Sequence, residues 1–309
     1  MDTLKFAAVS RNYFNMPIWI AQHAGFLEDE RIDISLELYE GINEVTDRLR
    51  DGRVQLAFGV TENVILDSEA GGTLEIIGGN VNKLPFSFIA RKGISTFGEL
   101  RGKTIGVSAI EAGSSSLVMQ MLADQGLHYP RDYHLRAVGP ILTRWKMLQS
   151  GEIDAGLQGA PLNFIAMDQG YAALGDSRER FPDFQFTSLN VDSRWATQNR
   201  DLMVRFMRAF VRAHSWFYTH RSAASTIAVA ESRIEHSYAL RAWDEYVQDQ
   251  IFPRDGDAGS AAVQALIDIS ALIRAIPSRS KANADGYINR DYLRAAWDDL
   301  ARTSQTAAA

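Results

Sequence analysis

Cysteine is missing from all 309 residues. Its absence removes disulfides, thiolate metal sites and cysteine nucleophiles together, and leaves the redox compartment open. Basic excess is missing too, with a net charge of −6. Nucleic acid and anionic membrane surfaces are therefore poor partners, because both demand a basic face. No apolar run approaches the roughly 18 residues that a membrane span needs. The six histidines are scattered, without H-E-x-x-H or any other metal-ligand spacing. His23 reads as a packed residue inside an apolar helix, and His214 and His220 lie in a helical C-terminal region. There is no G-x-S-x-G elbow, Walker A loop or dinucleotide fingerprint. No catalytic residue, metal ligand or cofactor is assigned. The opening "MDTLKFAAVS" enters a strand pattern directly, with neither a basic nor a long apolar leader region. Two alternatives stay open: a cytoplasmic protein, or a periplasmic or extracytoplasmic one whose leader was removed.

What is present is a hydrophobic fraction of 46% with 23% charged residues, enough for a substantial core in one large or two medium domains. Strand and helix patterns alternate. "LKFAAVS" reads as a strand, "MPIWIAQHAGFLEDE" as a helix with Pro17 near its first turn, and "DISLELYE" as a strand. Helix "NEVTDRLRDG", strand "VQLAFGV", helix "ENVILDSEAG" and strand "TLEIIGGN" follow. Such alternation indicates βαβ units and a mostly parallel sheet.

The pattern then repeats from "KTIGVS" to "PLNFIAMDQG". "RLRDGRVQLAFG" overlays "MLQSGEIDAGLQ", with Gly52 on Gly151 and Val54 on Ile153, and Val9-Ser10 overlays Val107-Ser108, at an offset of 98 to 100 residues. The overlay predicts two similar lobes. "NKLPFSFIARKG" and "FQFTSLNVDSRW" read as extended crossings between them. Lobe one thus takes 1–84 and 190–309, lobe two takes 88–187, and a two-stranded hinge falls near 85–90 and 186–191. Four amphipathic segments, from "NRDLMVRFMRAFVRAHSWFYTHR" through "SAAVQALIDISALIRAI" to "NRDYLRAAWDDLA", make a helical C-terminal region. The tail "RTSQTAAA" is expected to fray.

In open α/β sheets ligands bind beyond the carboxyl ends of the strands, beside helix N-termini. That rule selects loops around Ser10, Arg11, Asn12, Tyr13 and Phe14, around Glu40, and around Gly59, Thr61 and Glu62. In lobe two it selects Ser108, Glu111, Gly113, Ser114 and Ser115, together with Gln158 and Gly159. Each has a plain reading beside the functional one. Arg11 is either solvated or paired with an acidic group of a ligand, and Tyr13 and Phe14 either cap the core or stack on a flat ligand. The serines after Gly113 are good helix caps, and the same N–H groups and hydroxyls can receive an anionic or carbonyl oxygen. Glu40, Glu62 and Glu111 near one cleft argue against a purely anionic ligand such as nitrate and favour a zwitterion or nitrogen heterocycle.

The stretch "MPIWIAQHAGFLEDERIDISLELYEG" with "VTDRLRDGRVQLAFG" resembles the N-terminal lobe of the SsuA/THI5-like, or NMT1-like, family of substrate-binding proteins. "FGELRGKTIGVSAIEAGSSSLVMQML" and "MLQSGEIDAGLQGAPLNFIAMDQG" resemble its second lobe, so that the resemblance covers roughly residues 4 to 220. It implies an α/β, type II periplasmic-binding-protein fold of two doubly wound lobes, a small polar, zwitterionic or aromatic solute held between them, and an ABC permease as partner for a monomeric binder. It also implies an alternative, because the fold hosts cytoplasmic enzymes acting on aromatic acids or heterocycles. The cysteine-based chemistry of two such branches, a sulfinate desulfinase and a pyrimidine synthase, is closed to a chain without cysteine.

Overall fold

The computed structural model describes residues 1–111, 113–272 and 283–308. Its first lobe opens with β1 (Asp2–Val9), a 3-10 turn over Tyr13–Asn15, α1 (Met16–His23), the one-turn α2 (Phe26–Asp29) and β2 (Ile32–Tyr39). There follow α3 (Ile42–Arg50), β3 (Leu56–Val60), α4 (Thr61–Glu69) and β4 (Leu74–Val81). Residues 82–85 lead into the second lobe. That lobe is β5 (Phe86–Ala90), β6 (Thr104–Val107), α5 (Ser115–Ala123), β7 (His134–Ala137), α6 (Ile141–Ser150), β8 (Ala155–Gly159), α7 (Leu162–Asp168), β9 (Ala172–Asp176) and the one-turn α8 (Ser177–Arg180). Residues 181–186 return to β10 (Thr187–Asp192). The helices α9 (Ser193–Gln198), α10 (Arg200–Phe217), α11 (Arg221–Ser232), α12 (His236–Gln248), α13 (Ser260–Leu272) and α14 (Asp291–Ala308) complete the described chain.

Two five-stranded sheets result, in the orders β2-β1-β3-β10-β4 and β7-β6-β8-β5-β9. They match position for position, which is the repeat expected from the 98-to-100-residue offset. Both are mixed, with four strands running one way and a single strand reversed. β10 runs antiparallel to β3 and β4, and β5 antiparallel to β8 and β9. The two stretches read as crossings thus each contribute a strand to a sheet, β5 and β10, in the lobe the chain is entering. The connecting segments are the short pieces 82–85 and 181–186. β9, "AALGD", was not anticipated, because its half-exposed residues carry no apolar alternation.

Local sequence accounts for the helices that position the cleft. Pro17 sits in the first turn of α1, where its missing N–H has no partner to lose. Trp19 beyond it is fully buried. In α10, Met203, Phe206, Met207, Phe210, Ala213, His214 and Phe217 form one buried stripe at helical spacing. The stripe lies against α1 and α14. The tail expected to fray is helical through Ala308. Thr303, Ser304 and Thr306 each donate to the carbonyl four residues back. The part of the "SAAVQALIDISALIRAI" expectation beyond Leu272 lies outside the described residues.

The C-terminal helices reach across to the second lobe. Arg241 of α12 pairs with Asp168 of α7 at 2.6 Å and lies over the Phe164 ring at 4.4 Å. Arg178 of α8 pairs with Asp176, with Asp249 and, at 3.1 Å, with Glu245. α13 touches both α4 and α5. The lobes are therefore in contact along one side, in a closed arrangement.

Candidate ligand-binding site

A cavity lies where the carboxyl ends of the two sheets face each other. The first lobe supplies Val9, Asn12, Phe14, Ile42 and Val60, and the second supplies Ser108, Pro140, Ile141 and Arg144. Phe86, Phe186 and Thr187, at the crossings, form its back. The space is ≈ 420 Å³ with its mouth included.

The first-lobe loop is shaped by its own polar groups. Ser10 takes a left-handed φ of 56°, uncommon outside glycine, and its N–H donates to Tyr39 O at 2.7 Å. Asn12 accepts from the Phe14 N–H at 2.9 Å and donates to Val9 O at 2.8 Å. This local capping turns Phe14 to the cavity, where its ring meets Phe86 and Phe186 edge-on at 5.9 and 6.1 Å. Tyr13 points the other way. It is fully buried against Tyr246, with ring centroids 4.7 Å apart, and does not line the cavity. Arg11 is also turned outward. Its guanidinium bonds the Glu231 carboxylate and the Glu231 carbonyl, both at 2.8 Å. His23, expected inside its helix, is half-exposed and meets the same carboxylate at 2.8 Å.

In the second lobe the serines do something other than cap. Ser114 precedes α5, but its hydroxyl makes no cap bond; it accepts from the Ser108 N–H at 2.9 Å and lies 3.1 Å from the Ser108 hydroxyl. Both hydroxyls accept from Arg144, at 2.9 and 3.3 Å. Ser115 begins the helix and is buried. Gly113, at φ 73°, donates its N–H to the Glu62 carboxylate across the cleft at 2.8 Å. A side chain there would be strained and would sit 3.1 Å from Ser108 Cβ. Burial pushes the Glu62 carboxyl above its usual range, against the pull of the Ser270 hydroxyl and the Gly113 N–H.

The remaining expected residues are placed as follows. Thr61 is buried, bonding the Ser188 hydroxyl at 3.0 Å. Gly59 pairs with Ser188 in the first sheet and Gly159 with Phe86 in the second. Gln158 is buried, and with its amide oriented to satisfy both ends it ties Ile141 O and the Trp145 N–H of α6 at 3.2 and 3.3 Å. Glu40 and Glu111 are exposed and do not line the cavity. Of the sixteen expected residues the cavity gathers Asn12, Phe14 and Ser108, with Glu62, Gly113 and Ser114 bonded directly behind.

Arg144 was missed by sequence reasoning. It is 1% exposed, and no carboxylate among the described residues lies within ion-pair distance. Its partners are neutral: the Leu157 carbonyl, Gly139 O at 3.3 Å and the two serines. Burial lowers its pKa to about 10, which leaves it charged at neutral pH. The signal was available. Ile141, Arg144, Trp145 and Leu148 make one helical stripe, and all four are buried.

The NMT1/THI5-like family profile matches residues 12–224, more than half of the chain. The chain belongs to the NMT1/THI5-like family. No curated protein matches it. This NMT1/THI5-like chain shares its fold with the periplasmic nitrate-binding protein NrtA from Synechocystis PCC 6803 (TM-score 0.83, 15% identity, 97% of this chain and 89% of that one). It is similarly close to the alkanesulfonate-binding protein SsuA from Xanthomonas axonopodis pv. citri bound to MOPS (0.75, 17%, 94% and 99%). The desulfurization enzyme DszB, in complex with biphenyl-2-sulfinic acid, has the same fold (0.70, 16%, 96% and 99%). The fold is thus the periplasmic-binding-protein type, in binders and in an enzyme alike.

Proposed function

We propose that this NMT1/THI5-like protein is the solute-binding component of an ABC importer, working outside the cytoplasm and closing its two lobes on a small solute. One observation carries the reading: the cavity is walled by both lobes at their strand ends, so a solute within it would contact both and favour the closed form. Closure is then a population shift that a permease can read. The relatives named for nitrate and alkanesulfonate lend it support. DszB keeps a second reading in view, an enzyme of the same fold acting on an aromatic acid.

The test is native mass spectrometry of the purified protein, identification of any small molecule released, and small-angle scattering with and without it. A metabolite held one to one and a contraction on rebinding are expected. Conversion of the recovered compound, or of an added aromatic sulfinate, by catalytic amounts of protein would overturn the binder in favour of the enzyme.

A further inference from the structure

The cavity wall is apolar but for a few groups, and one of them is a buried cation. Arg144 crosses the second sheet in a slot that the sequence keeps open. Gly106 and Gly156 are register partners in β6 and β8. A Cβ on Gly156 would stand 2.7 Å from Arg144 Cδ, and one on Gly106 would stand 3.2 Å from Arg144 Cγ. Two small residues side by side thus let a long charged side chain lie flat against the strands and deliver its head to the cavity.

The head is only partly satisfied. A guanidinium has five N–H donors. Nη2 is engaged by Ser108, Ser114 and Gly139 O, and Nη1 by Leu157 O. Nε has no partner although it is buried. An arginine serving only as a strut would be fully bonded or paired with a carboxylate. A buried, unpaired charge is expensive to keep. The only deeply buried carboxylate at the cleft among the described residues, Glu62, is already turned to the Gly113 N–H and is not an ion-pair partner of Arg144. Glu62 thereby occupies the amide at the mouth of α5 that a second anionic group would seek. The rest of the wall, Phe14, Phe86, Phe186, Ile42 and Ile141 among it, offers apolar contact.

We infer that Arg144 is the charge-selecting residue of the cleft, and that its ligand is a compact organic monoanion with one carboxylate-like head and an apolar body. The inference rests on the cavity being the solute site. It departs from the sequence expectation of a zwitterion or heterocycle, because Glu40 and Glu111, which argued for one, face solvent. A carboxylate at the guanidinium supplies the missing countercharge, and charge-assisted bonds of this kind are about twice as strong as neutral ones. A dianion would face Glu62, and a cation would face Arg144.

Isothermal titration in a Tris buffer tests it with two sets of isosteres: butanoate, butanamide and butylammonium, and benzoate, benzamide and benzylammonium. At least one carboxylate is expected to bind, at least about tenfold more tightly than its amide, with its ammonium counterpart weaker still. R144M should lose about tenfold or more for that carboxylate, and R144K should retain part of it. Calorimetric melting shows whether each variant folds, and the wild-type ratio of carboxylate to amide decides the matter even if R144M does not. The inference is overturned if an amide or ammonium binds as well as its carboxylate, if folded R144M binds like wild type, or if neither carboxylate binds. A neutral or cationic metabolite recovered from the cleft would sink this inference alone. Tight carboxylate binding that causes no contraction in scattering would instead sink the lobe-closure reading and leave Arg144 as an anion site.

Discussion

Gly156→Ala tests whether the slot beneath Arg144 is as tight as it looks. The added methyl would lie 2.7 Å from Arg144 Cδ and 3.0 Å from the Gly106 carbonyl oxygen of the neighbouring strand. The arginine stem could swing aside only by giving up its bonds to Leu157 O, Ser108, Ser114 and Gly139 O. Overpacking of this kind costs about 1–3 kcal/mol. With an unfolding entropy of about 2.1 cal/mol/K per residue, a chain of 309 residues changes by roughly 0.65 kcal/mol per degree, which puts the fall in Tm at about 2–5 °C. The decisive measurement is a double-mutant cycle by calorimetry. In an Arg144→Ala background the Cγ and Cδ atoms are gone, and of the three nearest atoms the Gly106 carbonyl oxygen remains. Gly156→Ala should then cost less by about 1 kcal/mol, a coupling well above the 0.3–0.5 kcal/mol scatter of independent sites. Equal costs in the two backgrounds would refute the claim that Gly156 is glycine on account of Arg144.

Two further predictions concern protons. His214 is buried between Phe210 and Phe252, with Nδ1 2.7 Å from the Pro253 carbonyl oxygen, and burial lowers its pKa to about 4. The unfolded chain, with a histidine pKa near 6.5, binds this proton more readily, so stability is full above about pH 6.5 and is lost as pH falls toward 4, by about 1.4 kcal/mol per unit. Urea unfolding from pH 4 to 8 should show a shallower acid slope for His214→Gln than for wild type, and identical slopes would contradict this. Glu62 has its pKa raised in the closed form, relative to an open cleft where water reaches it. The closed form thus holds that proton more tightly, and closure becomes more favourable as pH falls through the raised value. Glu62→Gln, neutral yet still able to accept from Gly113, should be more closed than wild type at pH 7 and less sensitive to pH. Spin labels on Asp47→Cys and Gln149→Cys, unambiguous in a chain without cysteine, read the distance between lobes; a more open variant would show the sign to be wrong.

The division into two α/β lobes was legible because the βα alternation and the 98-to-100-residue offset are both written in apolar periodicity, and each sheet carries the same strand order. The pairing of the two crossing strands within the sheets was not. "FSFIA" and "TSLNV" read as hinge strands because extended apolar stretches reveal nothing about their partners, and both are buried within sheets. The loops at the cleft were found by the rule on strand ends, but not the direction of each side chain. Asn12 and Phe14 reach the cavity while Arg11 and Tyr13 of the same turn leave it. That split is set by the left-handed Ser10 and by the Asn12 side-chain cap, neither of which periodicity encodes. Arg144 was passed over for a different reason: the strand-end rule selects loops, and Arg144 lies one turn inside a helix, on the buried side that 141, 145 and 148 mark.

The insertion of the second lobe between β4 and β10 of the first also sets an order of assembly. Every strand of the second sheet lies between residues 86 and 176, whereas the first sheet has a gap between β3 and β4 until residues 187–192 arrive to fill it. On a ribosome, the second lobe can complete its hydrogen bonding while the first still carries two unpaired inner edges. Closing those edges requires pairing over more than 100 residues of chain, Thr187 with Val60 for instance, which is the slow kind of contact. The late half of the molecule is thus the one that holds Phe14 and Glu62, and the cleft exists as a recognition surface only once the last strand has been threaded home.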